Sequence, residues 1–168
     1  MGVVPETTLA EKLGLLVVPE GIVVDGHGRT SDPSVFAAGE VAFHYNSRID
    51  KHERQENWFH AAAHGEHVGR SIVERAADFA ELSGFWTDQY DVSLQSTGRA
   101  LAERDVVRGD MAEGRFVVFH LDGDVMVGAS GVNAASELRQ AKTLIRNGTR
   151  VDAAKLADPL VKIGAATL

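Results

Sequence analysis

Arg115-Phe116-Val117-Val118-Phe119-His120-Leu121-Asp122-Gly123-Asp124-Val125-Met126-Val127-Gly128-Ala129 reads as two strands and the turn between them. Asp-Gly tolerates the positive φ that tight hairpin turns need, so Asp122-Gly123-Asp124 joins Arg115–Leu121 to Val125–Ala129 as an antiparallel pair. On the N-terminal side, Asp91–Gly98 and Asp105–Gly109 read as further strands. On the C-terminal side a helix runs from about Ala134 to Asn147, with Asn133 as its expected N-cap and Gly148 as its stop. Leu138, Ala141, Leu144 and Ile145 form its apolar stripe, and Asp152 starts a last short helix that Pro159 ends. The expectation for residues 85–168 is therefore an α+β domain, an antiparallel sheet with the helix packed on one face.

Upstream, residues 76–84 read as a linker. Arg54 to Arg75 is the longest helical pattern, with Trp58, Ala62, Gly65, Gly69 and Ile72 recurring at spacings of three and four. So many small residues on one face imply close approach to another backbone or a ligand. Nearer the N-terminus, Thr8 is the expected N-cap of a short helix, with Glu11 as its capping-box partner. Gly21–Asp25 reads as a strand that turns at Gly26-His27-Gly28 into a return strand at Arg29–Ser31. Asp32-Pro33 is a turn signal, and Val35-Phe36-Ala37-Ala38-Gly39 reads as a small-residue strand of the buried, parallel type.

Composition narrows the function classes. The 168 residues contain 44% hydrophobic residues, enough for a globular core, and carry a formal net charge of -7. That charge argues against nucleic acid as the main partner, because phosphate contacts need a basic face. With no cysteine, the chain has no disulfide, thiolate metal site, iron–sulfur ligation or redox dithiol. Electron transfer through it would need a bound cofactor. No apolar run approaches the roughly 20 residues of a membrane span, and no signal core follows Met1, so a cytoplasmic protein without membrane contact is expected.

The string Thr30-Ser31-Asp32-Pro33-Ser34-Val35-Phe36-Ala37-Ala38-Gly39-Glu40-Val41-Ala42 has a physical use. Small residues let a backbone approach a ligand closely. The Glu40 carboxylate can accept hydrogen bonds from sugar-like hydroxyls, and the following N–H groups can meet a polar ring edge. Read from physics alone, it is equally an ordinary strand with a solvated Glu. Phe85-Trp86-Thr87-Asp88-Gln89-Tyr90-Asp91 offers the same choice, since an aromatic pair at a domain start can simply plug two domains together.

Both strings resemble a known family. The first is similar to the second FAD-binding motif of the pyridine-nucleotide disulfide oxidoreductase superfamily. The second resembles the aromatic–Trp–Ser/Thr–Asp–Gln–Tyr signature that opens the C-terminal domain of FAD-dependent NAD(P)H:ferredoxin reductases serving bacterial oxygenases. Gly2-Val3-Val4-Pro5-Glu6-Thr7, Val106-Val107-Arg108-Gly109, Arg115-Phe116-Val117-Val118-Phe119, Val132-Asn133 and Val151-Asp152 match as well, so the resemblance covers nearly the whole chain. It implies that residues 1–80 are the C-terminal remnant of the α/β FAD/NAD(P)-binding region and that residues 85–168 are the reductase C-terminal domain. It also implies cofactor contacts at Gly39, Glu40 and Val41, where the family's ribityl-binding residue is usually Asp and here is one methylene longer. The helix opened by Arg54-Gln55-Glu56-Asn57-Trp58 would point at the pyrimidine edge of the flavin, with Trp58 as a backbone donor, a fitting place for an anionic ring edge. Trp86 would cover the flavin ring. No residue of the chain is expected to be catalytic.

The family's two Gly-x-Gly-x-x-Gly turns, one for FAD and one for NAD(H), do not occur here; Gly26-His27-Gly28 lacks the third glycine. The chain therefore reads as a fragment, a truncated gene product or a separate subunit, retaining FAD weakly or not at all, with NAD(P)H bound elsewhere. The complete enzyme would pass electrons from NAD(P)H through FAD to a ferredoxin. The alternative is a non-catalytic dimerisation or docking module derived from such a reductase. Self-association is expected, because an unpaired apolar strand at Val35–Ala38 would seek a partner and the small-residue face of the 54–75 helix would lose its cover. His60, His64 and His67 share one helix face with Glu56 a turn earlier, a spacing that suits a metal, but the expected reading is a solvated polar face with no metal. Gly128-Ala129-Ser130-Gly131 is not a nucleophile elbow, and Ser130 is given no catalytic role.

Overall fold

The computed structural model describes residues 3–74 and 77–168. The chain divides into two units, Met1–Glu81 and Leu82–Leu168. The first contains α1 (Thr8–Lys12), β1 (Val17–Val18), β2 (Gly21–Val24), β3 (Ala42–Asn46), β4 (Lys51–Glu53) and α2 (Trp58–Val73). Its sheet runs in the order β1-β2-β3-β4. The central pair is parallel, with Ile22 opposite Ala42 and Val24 opposite His44, and the outer pairs are antiparallel.

The partner of β2 is thus Ala42–Asn46, not the expected return strand at Arg29–Ser31, and the expected parallel-type strand at Val35–Gly39 does not form. Phe36 makes one antiparallel bridge to Arg29. The Thr30 N–H donates to the Val35 carbonyl and the Ala37 N–H to the Gly28 carbonyl, both at 3.0 Å. The Asp32-Pro33 turn folds the run back onto residues 28–30, which satisfies its backbone groups locally. Arg29–Ser31 accordingly pairs forward rather than returning along β2. The unpaired strand from which self-association was expected does not exist.

Two helix starts differ from those expected. Thr7, not Thr8, precedes α1, and its hydroxyl donates to Glu11 Oε1 at 2.7 Å. α2 begins at Trp58 rather than Arg54, because Asn57 Oδ1 accepts the His60 N–H at 2.8 Å. Arg75, the expected end of that helix, lies outside the described residues. The expected linker is partly docked: the Phe79 N–H donates to the Gly26 carbonyl at 2.8 Å, and the Phe79 ring is buried. Ala76 lies outside the described residues.

The second unit contains β5 (Gly84–Gln89), β6 (Val92–Gly98), β7 (Arg104–Asp110), β8 (Arg115–Asp122), β9 (Val125–Val132), α3 (Ala135–Arg146), α4 (Ala153–Ala157) and a 3₁₀ turn at Ile163–Ala166. The strands form one sheet, β5-β6-β9-β8-β7, antiparallel at every pairing. Gly123 has φ 58, as the hairpin required. The Phe85-Trp86-Thr87-Asp88-Gln89 run adds β5, which turns at Tyr90 into β6. The architecture is the expected α+β fold.

The core of this unit lies between the sheet and α3. Phe119, Leu121 and Met126 from the strands meet Leu138, Ala141 and Ile145 from the helix. Each fully buried large side chain contributes roughly 1.5–3 kcal/mol of transfer free energy. Asn133 does not cap α3. It takes φ 50, accepts the Ser93 N–H at 2.9 Å and donates to the Gly114 carbonyl at 3.1 Å, tying three loops together. Asp152 does cap α4, accepting the Ala154 and Lys155 N–H groups at 2.9 and 3.2 Å. Beyond α4, Arg108 fixes the chain by donating to the carbonyls of Leu156, Asp158, Pro159 and Val161 at 2.7–3.2 Å.

Candidate functional site

Between the Phe36 bridge and β3, Gly39–Val41 coils into a 3₁₀ turn. Gly39 is buried with φ 77, a conformation that favours glycine. A Cβ there would lie 3.7 Å from the Ala61 Cβ, so the turn rests against the first turns of α2. Two contacts hold it: Arg54 Nε donates to the Glu40 carbonyl at 2.8 Å, and the Gly39 N–H donates to His64 Nδ1 at 3.3 Å. Arg54 is itself ion-paired with Glu56. The Glu40 side chain is exposed. Trp58 is the first residue of α2, two-thirds exposed, at the end where a helix offers its N–H donors. Of the expected site residues, Gly39, Glu40, Val41 and Trp58 therefore belong to the first unit. Trp86 belongs to the second, on β5 opposite Gln95 and 43% exposed.

The histidine face of α2 is not the solvated face expected, and the small-residue face is left without a cover. Trp58, Ala62, Gly65, Gly69 and Ile72 are exposed, whereas His60 and His64 are buried. His67 is half-buried, with Nε2 2.9 Å from the Gly26 carbonyl. His44, which sequence reasoning missed, joins them from β3, where Ala42, His44 and Asn46 all point inward. The His44 ring lies 4.6 Å from that of His60 and 4.8 Å from that of His64, centroid to centroid, with Phe79 packed beside them. Both nitrogens of His44 and Nε2 of His60 and His64 find no hydrogen-bond partner among the described residues. Burial, reinforced by the neighbouring imidazoles, pushes His44 down to about 3 and His64 down to about 4; burial also lowers His60. Glu53 on β4 approaches His44 Nε2 to 3.7 Å. The signal available in the sequence was the alternation through β3, but it needed the strand to be placed first.

A second polar line crosses the other sheet. Asp105 Oδ1 lies 2.7 Å from His120 Nδ1, His120 Nε2 lies 3.0 Å from Ser130 Oγ, and Ser96 Oγ lies 3.2 Å from the same hydroxyl. The groups match a hydrolase triad, but the setting does not. Ser130 sits in mid-strand, paired to Ser96 on one side and Val118 on the other. The neighbouring N–H groups are committed to the ladders, leaving none to form an oxyanion cradle.

Comparison with known proteins defines the class. Residues 84–167 match the family described as reductase C-terminal, and residues 1–65 match pyridine nucleotide-disulphide oxidoreductase. The chain belongs to the reductase C-terminal family. It is 40% identical, over 96% of its length, to the anthranilate 1,2-dioxygenase system ferredoxin--NAD(+) reductase component of Burkholderia cepacia, covering 40% of that protein. The ferredoxin reductase for the CYP199A2 system from Rhodopseudomonas palustris superposes over 100% of the chain and 42% of its own, with TM-score 0.92 and 28% identity. The covalent putidaredoxin reductase–putidaredoxin complex matches 97% of the chain and 39% of its own, with TM-score 0.90 and 30% identity. The chain thus spans about two fifths of the length of these relatives.

Proposed function

We propose that this chain is the flavin-facing C-terminal part of an oxidoreductase that moves electrons from NAD(P)H through FAD to a ferredoxin serving an oxygenase. The observation that carries the reading is the Gly39–Val41 turn lying against the N-terminal turns of α2. An exposed carboxylate and a helix N-terminus are thereby held within one unit. Residues 1–80 act as the remnant of the nucleotide-binding region and residues 85–168 as the reductase C-terminal domain. Limited proteolysis that cuts between them and leaves a folded 85–168 fragment supports that division; a fragment degraded at once speaks against it.

With FAD bound, Glu40 would accept hydrogen bonds from the ribityl hydroxyls. The Val41 and Trp58 N–H groups would meet the polar edge of its ring system, and Trp86 is the residue that would cover the ring. Bound FAD supplies the conversion of a two-electron hydride into single electrons; the chain's own residues orient it and exclude water. The protein works in the cytoplasm, and no helix among the described residues is long and apolar enough to cross a membrane.

Neither glycine-rich nucleotide turn is present in the chain, so most contacts to the FAD pyrophosphate are missing. Titration of the purified chain with FAD, followed by flavin fluorescence, is expected to show affinity weaker than micromolar. Submicromolar binding by a monomer would overturn the division of labour. In a complete enzyme, Trp86→Ala is expected to change flavin exposure and hydride-transfer rate while leaving the melting temperature nearly unmoved; unaltered kinetics would remove Trp86 from the site.

A further inference from the structure

The structure assigns a metal site where none was expected: we propose that His44, His60 and His64 bind one divalent transition-metal ion, with Zn(II) the best match to the ligand set. The cap at Asn57 sets the register of α2, so His60 and His64 stand one turn apart on its inner face. The alternation of β3 turns His44 toward them. Each ring offers one nitrogen, and the three ligand atoms lie within 4.8 Å of one another. A tetrahedral zinc site with bonds of about 2.0–2.1 Å has nitrogen–nitrogen edges of ~3.4 Å. At the widest edge the donor atoms would draw together by about 1.4 Å to close on an ion.

Glu53 borders the cluster at His44. Its Oε1 lies 3.7 Å from His44 Nε2 and accepts from Asn46 Nδ2 at 2.6 Å, and its Oε2 accepts from Gln55 Nε2 at 2.8 Å. Two amides thus hold the carboxylate beside His44, as outer partners flank histidine ligands in metal centres. Phe79 walls the site from the side, its ring 4.9 Å from that of His64. Three imidazoles suit zinc and its transition-metal neighbours and disfavour magnesium or calcium. The alternative use of these rings, plain packing, strands four buried ring nitrogens without partners, and native interiors avoid that.

Proton accounting makes the site testable without an activity assay. In the Gly39 hydrogen bond His64 Nδ1 accepts, so the proton of the neutral ring sits on Nε2. Metal binding through Nε2 moves that proton to Nδ1. The 3.3 Å contact from the Gly39 N–H is then given up, which ties the ion to the turn preceding β3.

The test is titration of the EDTA-treated chain with Zn(II), read by calorimetry. One ion per chain is expected, with His60→Gln and His64→Gln each weakening binding at least tenfold and His52→Gln, an exposed control, leaving it unchanged. Absence of stoichiometric binding, or equal binding by wild type and both buried variants when folded, overturns the proposal. If those variants fail to fold, the wild-type chain decides. Co(II) should produce the visible bands of a tetrahedral site, and Zn(II) should shift the Gly39 amide resonance. A colourless Co(II) sample with an unmoved Gly39 signal counts against the site.

Discussion

At single-residue scale, Gly28 shows how tightly the first unit is built. Its φ is 79, and a Cβ there would lie 2.3 Å from Val68 Cγ2 and 3.2 Å from the Ala37 carbonyl. Gly28→Ala therefore combines left-handed strain with overpacking and is expected to cost about 2–4 kcal/mol, read from urea melts. Gly69 makes the contrast. It sits inside α2 with nothing within 4 Å of its would-be Cβ, so Gly69→Ala should stabilise the chain by about 0.5–1 kcal/mol. A Gly28→Ala protein as stable as wild type would mean that the contact between the turn and α2 is looser than described. The same scale separates what could be read from the chain and what could not. Glu40 and Trp86 stood out because their strings resemble family signatures. His44 did not, because a lone histidine in an apolar run becomes informative only after the strand around it is aligned with a helix sixteen residues downstream.

At the scale of elements, legibility followed the range of the interactions. The hairpin of β8 and β9 could be read because Asp122-Gly123 specifies its own turn and the pairing is local. The α3 stripe could be read because Leu138, Ala141 and Ile145 repeat with the helix period. The partner of β2 and the buried parallel strand were both assigned to the wrong segments, Arg29–Ser31 and Val35–Gly39. Val35-Phe36-Ala37-Ala38 and Ala42-Phe43-His44-Tyr45 are both short apolar runs, and only the long-range register of Ile22 with Ala42 distinguishes them. The histidine face of α2 was read as solvated for a related reason: imidazoles that stay neutral can be buried, while alanine and glycine cost little when left in water. That burial has a pH signature. His44 and His64 titrate near 3 and 4 when folded against 6.5 as ordinary histidines, with His60, His67, His52 and Glu53 as their charged or titratable neighbours. The unfolded chain then binds more protons than the folded one between these values. Stability of the metal-free protein is full above about pH 6.5 and falls as the pH drops toward 4. Thermal melts at pH 7 and pH 5 should show the lower midpoint at pH 5, and equal midpoints would place these rings in water.

For the whole molecule, the two units bear different parts of the proposed work. The first holds the Gly39–Val41 turn and Trp58; the second holds Trp86. Self-association keeps one ground after the loss of the unpaired strand, the exposed apolar side of α2, where Trp58, Phe59, Ile72 and Val73 are all more than half exposed. Light scattering at micromolar concentration is expected to give a mass above the monomer, and a clean monomer would leave that face without a role in oligomerisation. The central claim is that this chain completes a flavin site. It is tested most directly by joining the chain to the preceding three fifths of the Burkholderia cepacia reductase component, in place of that protein's own C-terminal part. The bound-flavin spectrum of the purified hybrid is the measurement. A yellow protein with about one flavin per chain is expected, and its flavin should become more fluorescent when Trp86 is changed to Ala. A hybrid that folds, as judged by circular dichroism, but purifies colourless would contradict the central claim.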